Sequence, residues 1–225
     1  MTYPGHMGGK PIPPGFDHSL ERSVDLAEAE LDALGIAKAH LVGNSLGGWL
    51  AIELARRGRA LSVVAIAPAG GWKFKSPEQR RLLNKFKRTR ALLRVAGPFA
   101  SLIARGALGR RIALGDMMHR PERLTPSEAT LLIQAPWRCA VYEDVLRVLP
   151  DEPVARLLHP PPCPMRIVWG VEDRVLRLRG YSEQWIESLP GVDFVRLHGA
   201  GHVPMYDDPT RLANAILEVT AQAVA

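Results

Sequence analysis

Only two cysteines, Cys139 and Cys163, occur in the 225 residues. No disulfide framework and no C-x-x-C pair can therefore organise this chain, and both are expected to be free thiols of a reducing, cytoplasmic compartment. No uninterrupted run of 18 apolar residues is present, which excludes a membrane-spanning helix and any stable membrane insertion. The first residues lack the charged-then-apolar pattern of a secretory leader. Histidines and cysteines are not clustered at ligand spacing, so no metal is expected. No G-x-G-x-x-G occurs and no P-loop lysine follows a glycine-rich turn, so neither a dinucleotide nor another cofactor is expected. Signatures of helix-turn-helix, RRM and zinc-finger modules are also missing.

What the chain does have is uneven charge. The net charge is +6, yet residues 72–123 alone carry 14 Lys/Arg against 3 Asp/Glu. The basic residues alternate with Leu82, Leu83, Phe86, Leu92 and Leu93 at helical spacing, which describes an amphipathic helix with a solvated outer face. Attraction to anionic substrates, to lipid surfaces or to nucleic acid is the competing reading. With no nucleic-acid motif beside it, no nucleic-acid partner is expected.

The most informative stretch is AHLVGNSLGGWLAIELARRG, Ala39 to Gly58. A short apolar run at Leu41-Val42 meets the turn Gly43-Asn44-Ser45-Leu46-Gly47-Gly48. A helix follows, with Trp49, Leu50, Ile52 and Leu54 inward and Gly58 as its stop. Serine at the apex, with Gly43 and Gly47 two residues to either side, is the context a nucleophile elbow needs. The glycines are expected where a Cβ would collide with the neighbouring backbone. Such a turn aims the helix N-terminus and the Leu46 N–H at a reacting carbonyl.

Around this stretch the pattern alternates strands and helices. Ser19 to Leu34 reads as a helix and Leu61 to Ala67 as a strand buried on both faces. Lys73 to His159 is helical and strand-poor. Strands follow at Arg166 to Gly170 and Asp193 to Leu197, with helices at Tyr181 to Leu189 and Pro209 to Val224. Asp208 before Pro209 suits an N-cap. The class is α/β: a mostly parallel sheet flanked by helices.

Three segments, GNSLGGW, WGVEDRVL and GAGHVPMYDDP, resemble the α/β-hydrolase superfamily in its Ser…Asp…His order. The resemblance implies a core at 1–72 and 160–225 with an inserted helical cap or lid at 73–159. It implies a small-molecule substrate and a triad in which Ser45 is the nucleophile, His202 the base and Asp173 the orienting acid, with Leu46 as a backbone oxyanion donor. Glu172 is the alternative acid; His40 and His198 are weaker candidates for the base. Serine rather than aspartate at the elbow disfavours epoxide and haloalkane substrates, while Asn44 resembles the residue before the serine in carboxylesterases and carbon–carbon hydrolases of ring-fission products. The expected activity is cleavage of carboxylic esters or related acyl bonds. The alternatives are carbon–carbon cleavage and a catalytically silent, hydrolase-like scaffold. The basic cap points weakly to anionic substrates. Four core strands can be counted. In the family a strand lies beside the elbow strand, and the loop after it supplies the second oxyanion donor; here the sequence is expected to begin past that loop, foremost as a fragment of a protein that starts upstream of Met1, alternatively as a truncated fold with an exposed parallel edge that another subunit, as in a homo-oligomer, could cover.

Overall fold

The computed structural model describes residues 2–6, 8–12, 15–152, 155 and 160–223. Four parallel strands form one sheet in the order β1 (Ala39–Asn44), β2 (Ala60–Ile66), β3 (Met165–Gly170) and β4 (Asp193–Leu197). Parallel strands need crossover connections, and each one here contains a helix. Helix α1 (Leu20–Ala33) precedes β1, and α2 (Leu46–Arg56) joins β1 to β2. The long β2–β3 connection contains α3 (Pro77–Ala96), α4 (Ala100–Arg105), α5 (Ala107–Leu114), α6 (Pro126–Arg138) and α7 (Tyr142–Val148), with no strand among its described residues. His159, the expected end of this segment, lies outside the described residues.

The sheet is covered on both sides because its central strands carry mostly apolar residues on both faces, Ser62 and Arg166 being the polar exceptions. Val63 and Ala65 of β2 pack with Trp49 and Ile52 of α2 and with Val24 and Leu31 of α1. Val64 and Ile66, facing the other way, pack with Leu212, Ala215 and Val219 of α10 (Pro209–Gln222). Ser19 and Asp208 cap α1 and α10 by accepting from the N–H groups of Arg22 and Arg211, as side-chain oxygens do at helix starts. The helix expected over 181–189 is instead a π-helical turn at Leu178–Ser182 followed by α8 (Glu183–Glu187). Between β4 and α10 lies the short α9 (Pro204–Asp207); Val224, the expected end of α10, lies outside the described residues.

Strand β1 is an edge of the sheet, and Val42 on it is 46% exposed. The other end is pinned by Arg166. Its buried guanidinium donates to Asp193 Oδ2 at 2.6 Å, to Glu218 Oε2 at 2.7 Å and to the Ala215 carbonyl at 2.8 Å, joining β3, β4 and α10. Replacing Arg166 by alanine should lower unfolding stability by about 1–3 kcal/mol, since charge-assisted bonds are lost while Asp193 and Glu218 remain solvated. Urea denaturation of the two proteins measures this; an unchanged midpoint would refute the pinning role.

Candidate active site

Every strand delivers its following loop to the same, C-terminal edge of the sheet, where ligand sites of open α/β sheets form. Strand β1 ends in Ser45, β3 in the turn carrying Glu172 and Asp173, and β4 in the loop carrying His202.

Ser45 has φ 56° and ψ −116°, outside the usual regions for an L-residue. Its N–H donates to the Ile66 carbonyl at 2.9 Å, and its carbonyl accepts from Ala69 N at 3.0 Å and Trp49 N at 3.2 Å. A Cβ on Gly43 would overlap the Gly47 carbonyl, and one on Gly48 would crowd the Gly43 carbonyl and Pro68. Gly47 itself faces open space. The steric demand expected of Gly43 and Gly47 therefore falls on Gly43 and Gly48. Leu46 is the first residue of α2, so its N–H lies at the positive end of that helix.

Asp173 and His202 meet directly. Asp173 Oδ2 lies 2.8 Å from His202 Nδ1, both side chains being buried. The other Asp173 oxygen accepts from the backbone N–H groups of Val175 and Leu176, each at 2.8 Å, so the carboxylate is fixed before it orients the ring. Glu172, the alternative acid, does something else. Its Oε2 accepts from Gly199 N at 2.8 Å and Ala200 N at 3.1 Å and holds the histidine loop by its backbone. His40 sits at the far end of β1 against Ser62, and His198 offers its carbonyl to Arg211.

Ser45 joins the pair through its neighbour. The Asn44 amide donates to the His202 carbonyl at 2.9 Å and to the Ile66 carbonyl at 3.1 Å. No Ser45–His202 hydrogen bond forms among the described residues; such bonds often tighten only around a reacting group. A third side chain completes the hold on the loop. Asp207 accepts from Gly201 N at 2.8 Å and from the N–H groups of His119 and Arg120 in the helical insertion. Val203 N donates to the Met117 carbonyl, and the Val203 side chain enters the insertion's own apolar cluster with Leu114, Met118 and Ile133. Gly170 and Gly201 permit this packing, because a Cβ on either would overlap backbone across the contact.

Ser45 and Leu46 open onto a pocket of about 630 Å³, part of it open to solvent. Its walls come from Trp72 in the loop after β2, from Phe86 of α3, from Tyr142 and Leu146 of α7, and from Leu176. Among the described residues, no Lys, Arg, Asp or Glu lines it. Burial pushes the Cys139 thiol up and the Tyr142 phenol up to about 12, and it pushes the His6 imidazole down. His6 belongs to the Pro4-Gly5-His6 loop, tied to the insertion by Ala140 N donating to the Gly5 carbonyl at 3.0 Å. Sequence reasoning singled out Ser45, Asp173 and His202 as candidates, and the structure brings Asp173 and His202 into contact; that reasoning missed Asn44, Glu172 and Asp207 as the clamps of the histidine loop. Their signal is weak, since each reads locally as an ordinary polar loop residue.

A contrast between two glycines tests the elbow. Gly43→Ala should lower the melting temperature by several degrees, as overpacking costs about 1–3 kcal/mol. Gly47→Ala, inside α2 with open space around it, should leave the melting temperature unchanged or raise it, since alanine is favoured over glycine in a helix by about 0.5–1 kcal/mol. Equal effects in thermal melts would contradict the packing described.

The model of the alpha/beta hydrolase family matches residues 1–215. An epoxide hydrolase, EphH of Mycobacterium tuberculosis, is 36% identical over 193 residues, spanning 85% of this chain and 90% of that protein. An uncharacterized protein of the same organism is 26% identical over 224 residues, and the match spans 94% of this chain but only 64% of that relative's length. Among solved structures, an esterase from Thermogutta terrifontis superposes with a TM-score of 0.73 at 21% identity, covering 98% of this chain and 78% of its own. With the family matched over almost its whole length and the parallel sheet, elbow turn and C-terminal-edge pocket in place, this chain belongs to the alpha/beta hydrolase family and is a hydrolase.

Proposed function

We propose that the chain is a serine-dependent hydrolase cleaving uncharged carboxylic esters, or related acyl bonds, of a small apolar molecule. The observation that carries this reading is Ser45 at the mouth of an uncharged, apolar pocket, with the Asp173–His202 pair tied to it through Asn44. Ser45 Oγ attacks the acyl carbon while His202 Nε2 takes its proton. Asp173 holds the Nδ1–H and stabilises the imidazolium, and the Leu46 N–H at the start of α2 receives the oxyanion. Collapse of the tetrahedral intermediate expels the alcohol, which takes the proton from His202. Water, activated by the same imidazole, then hydrolyses the acyl-serine. The helical insertion, residues 73–159, serves as the cap that supplies Phe86, Cys139, Tyr142, Leu146 and Leu149 to the pocket and so sets substrate shape.

The epoxide hydrolase activity of the mycobacterial relative raises an epoxide as substrate. Ser45 speaks against it on chemical grounds. Opening an epoxide with an alkoxide gives an ether, which this machinery has no means to hydrolyse, whereas a carboxylate nucleophile would leave a cleavable ester. A ring-fission dienoic acid is disfavoured for a different reason, because its carboxylate would find no cation among the described residues that line the pocket. The same observation weighs against the anionic-substrate expectation drawn from the basic cap, whose described cationic side chains are not among those lining residues.

A substrate panel tests the proposal. A neutral aryl butyrate should be turned over, an aryl hemisuccinate of the same length more slowly, and styrene oxide and the dienoic acid not measurably. Ser45→Ala and Asp173→Asn should each reduce ester turnover by about 10⁴-fold. Ester turnover that survives Ser45→Ala, or a preference for the epoxide, would overturn the reading.

A further inference from the structure

The apolar residues of the insertion do not all turn inward. Leu82, Leu83 and Leu93 of α3 are buried, but Leu92 is 67% exposed, which corrects the expectation that the outer face is merely solvated charge. Leu92, Val95, Phe99 and Leu102 follow one another at intervals of three, four and three residues through α3, the 3₁₀ turn Gly97–Phe99 and α4. They share one face, and each is at least 59% exposed. The same spacing runs backwards through Arg88, Lys85 and Arg81. One continuous stripe is thus cationic in its first half and apolar in its second. Nearby, α5 turns out Leu108 and Ile112, the latter 77% exposed, and packs beside α4.

The electrostatic setting is equally one-sided. Residues 79–115 contain 10 Lys/Arg and no Asp or Glu. Lys85, Arg90, Arg94 and Arg111 borrow carboxylates from Asp116, Glu143 and Glu122, and Arg110 is spent on backbone carbonyls. The other five, Arg80, Arg81, Lys87, Arg88 and Arg105, are exposed and have no carboxylate partner among the described residues. Large apolar side chains exposed together in this way mark a contact, and the neighbouring charge says with what. A second copy docked face to face would bring no free carboxylate to the five unpaired cations, because Asp116, Glu122 and Glu143 beside this face already pair with its own Lys and Arg. A lipid surface supplies both needs in the right order of depth, anionic headgroups outside and acyl chains within.

We propose that this face of the helical insertion is a peripheral membrane-docking surface. Its Leu92–Leu102 end, with α5, enters the acyl region of an anionic bilayer, and its Arg81–Arg88 end stays among the headgroups. The protein then lies on the membrane rather than across it; no described helix is long and apolar enough to span one. Because α3 also contributes Phe86 to the Ser45 pocket, docking would set that pocket close to apolar molecules dissolved in the bilayer.

Flotation of the 225-residue protein with vesicles tests this without reading turnover. The protein should float with equimolar phosphatidylglycerol and phosphatidylcholine, and only weakly with phosphatidylcholine alone. The triple variant Leu92→Gln, Val95→Gln, Phe99→Gln should bind the anionic vesicles at least about tenfold less well, with an unchanged melting temperature because those side chains are already in water. Arg81→Gln with Arg88→Gln should lose about tenfold in affinity for the anionic vesicles alone. Ser45→Ala should float like the parent, so failure here and failure of the ester reading are separate results. No flotation with either vesicle, or flotation unaffected by the triple variant, would overturn the proposal. So would a dimer in sedimentation that the triple variant abolishes while vesicles are ignored, since a second copy would then be the occupant.

Discussion

Ser45 holds φ 56° and ψ −116°, a conformation that costs an L-residue about 1–3 kcal/mol and persists only where the surroundings over-determine it. Here they do: three backbone hydrogen bonds bind Ser45 to the loop after β2, to Ile66 and to α2, and Gly43 and Gly48 leave no slack beneath the turn. The arrangement fixes the start of α2, and with it the Leu46 N–H, in the lining of the pocket. It also fixes Asn44, one residue back, where its amide can reach the histidine loop. The strain is therefore what connects the serine to its partners, and the hydrophobic sheet beneath is what sustains it.

The histidine loop depends on that connection and on two others. Asn44, Glu172 and Asp207 grip it from β1, from the turn after β3 and from its own descending end. A loop held by three side chains of different elements is fixed in place before any ligand arrives, and on the proposed mechanism, with His202 as base, such preorganisation is where electrostatic advantage is gained. Asp207 and Val203 also tie the loop to the helical insertion. Movement of the insertion, by a substrate or by the surface its outer face meets, would act on the His202 loop through these contacts.

Much of this was legible in the sequence because the relevant signals are local. The strand–turn–helix around Ser45, the largely apolar β2 and β3, and the Asp208-Pro209 start of α10 each state their structure within a few residues. The order of Ser45, Asp173 and His202 along the chain anticipated which loops would gather at one edge. Tertiary facts were less legible. Glu172 and Asp173 are adjacent carboxylates for which the family resemblance offered one acid and one alternative; the fold gives each its partner, Asp173 a ring and Glu172 a backbone. Asp207 looks like half of an acidic pair until Gly201 and the insertion close around it. Gly47 matches the motif, yet the collision the motif avoids occurs at Gly48. Leu92 and Leu93, consecutive and identical, end on opposite faces of α3, one in water and one in the core. Periodicity finds the helix; which side meets the rest of the protein depends on packing that lies elsewhere in the chain.

The central claim is that Ser45 is an activated nucleophile served by His202 and Asp173. Labelling with a fluorophosphonate, read by intact mass, tests it most directly, because that probe reacts with a serine beside a working base and requires no guess at the substrate. The account predicts one adduct per chain, lost in Ser45→Ala and strongly slowed in Asp173→Asn. A folded protein that takes no label, or one that is labelled equally well after Ser45→Ala, would contradict it.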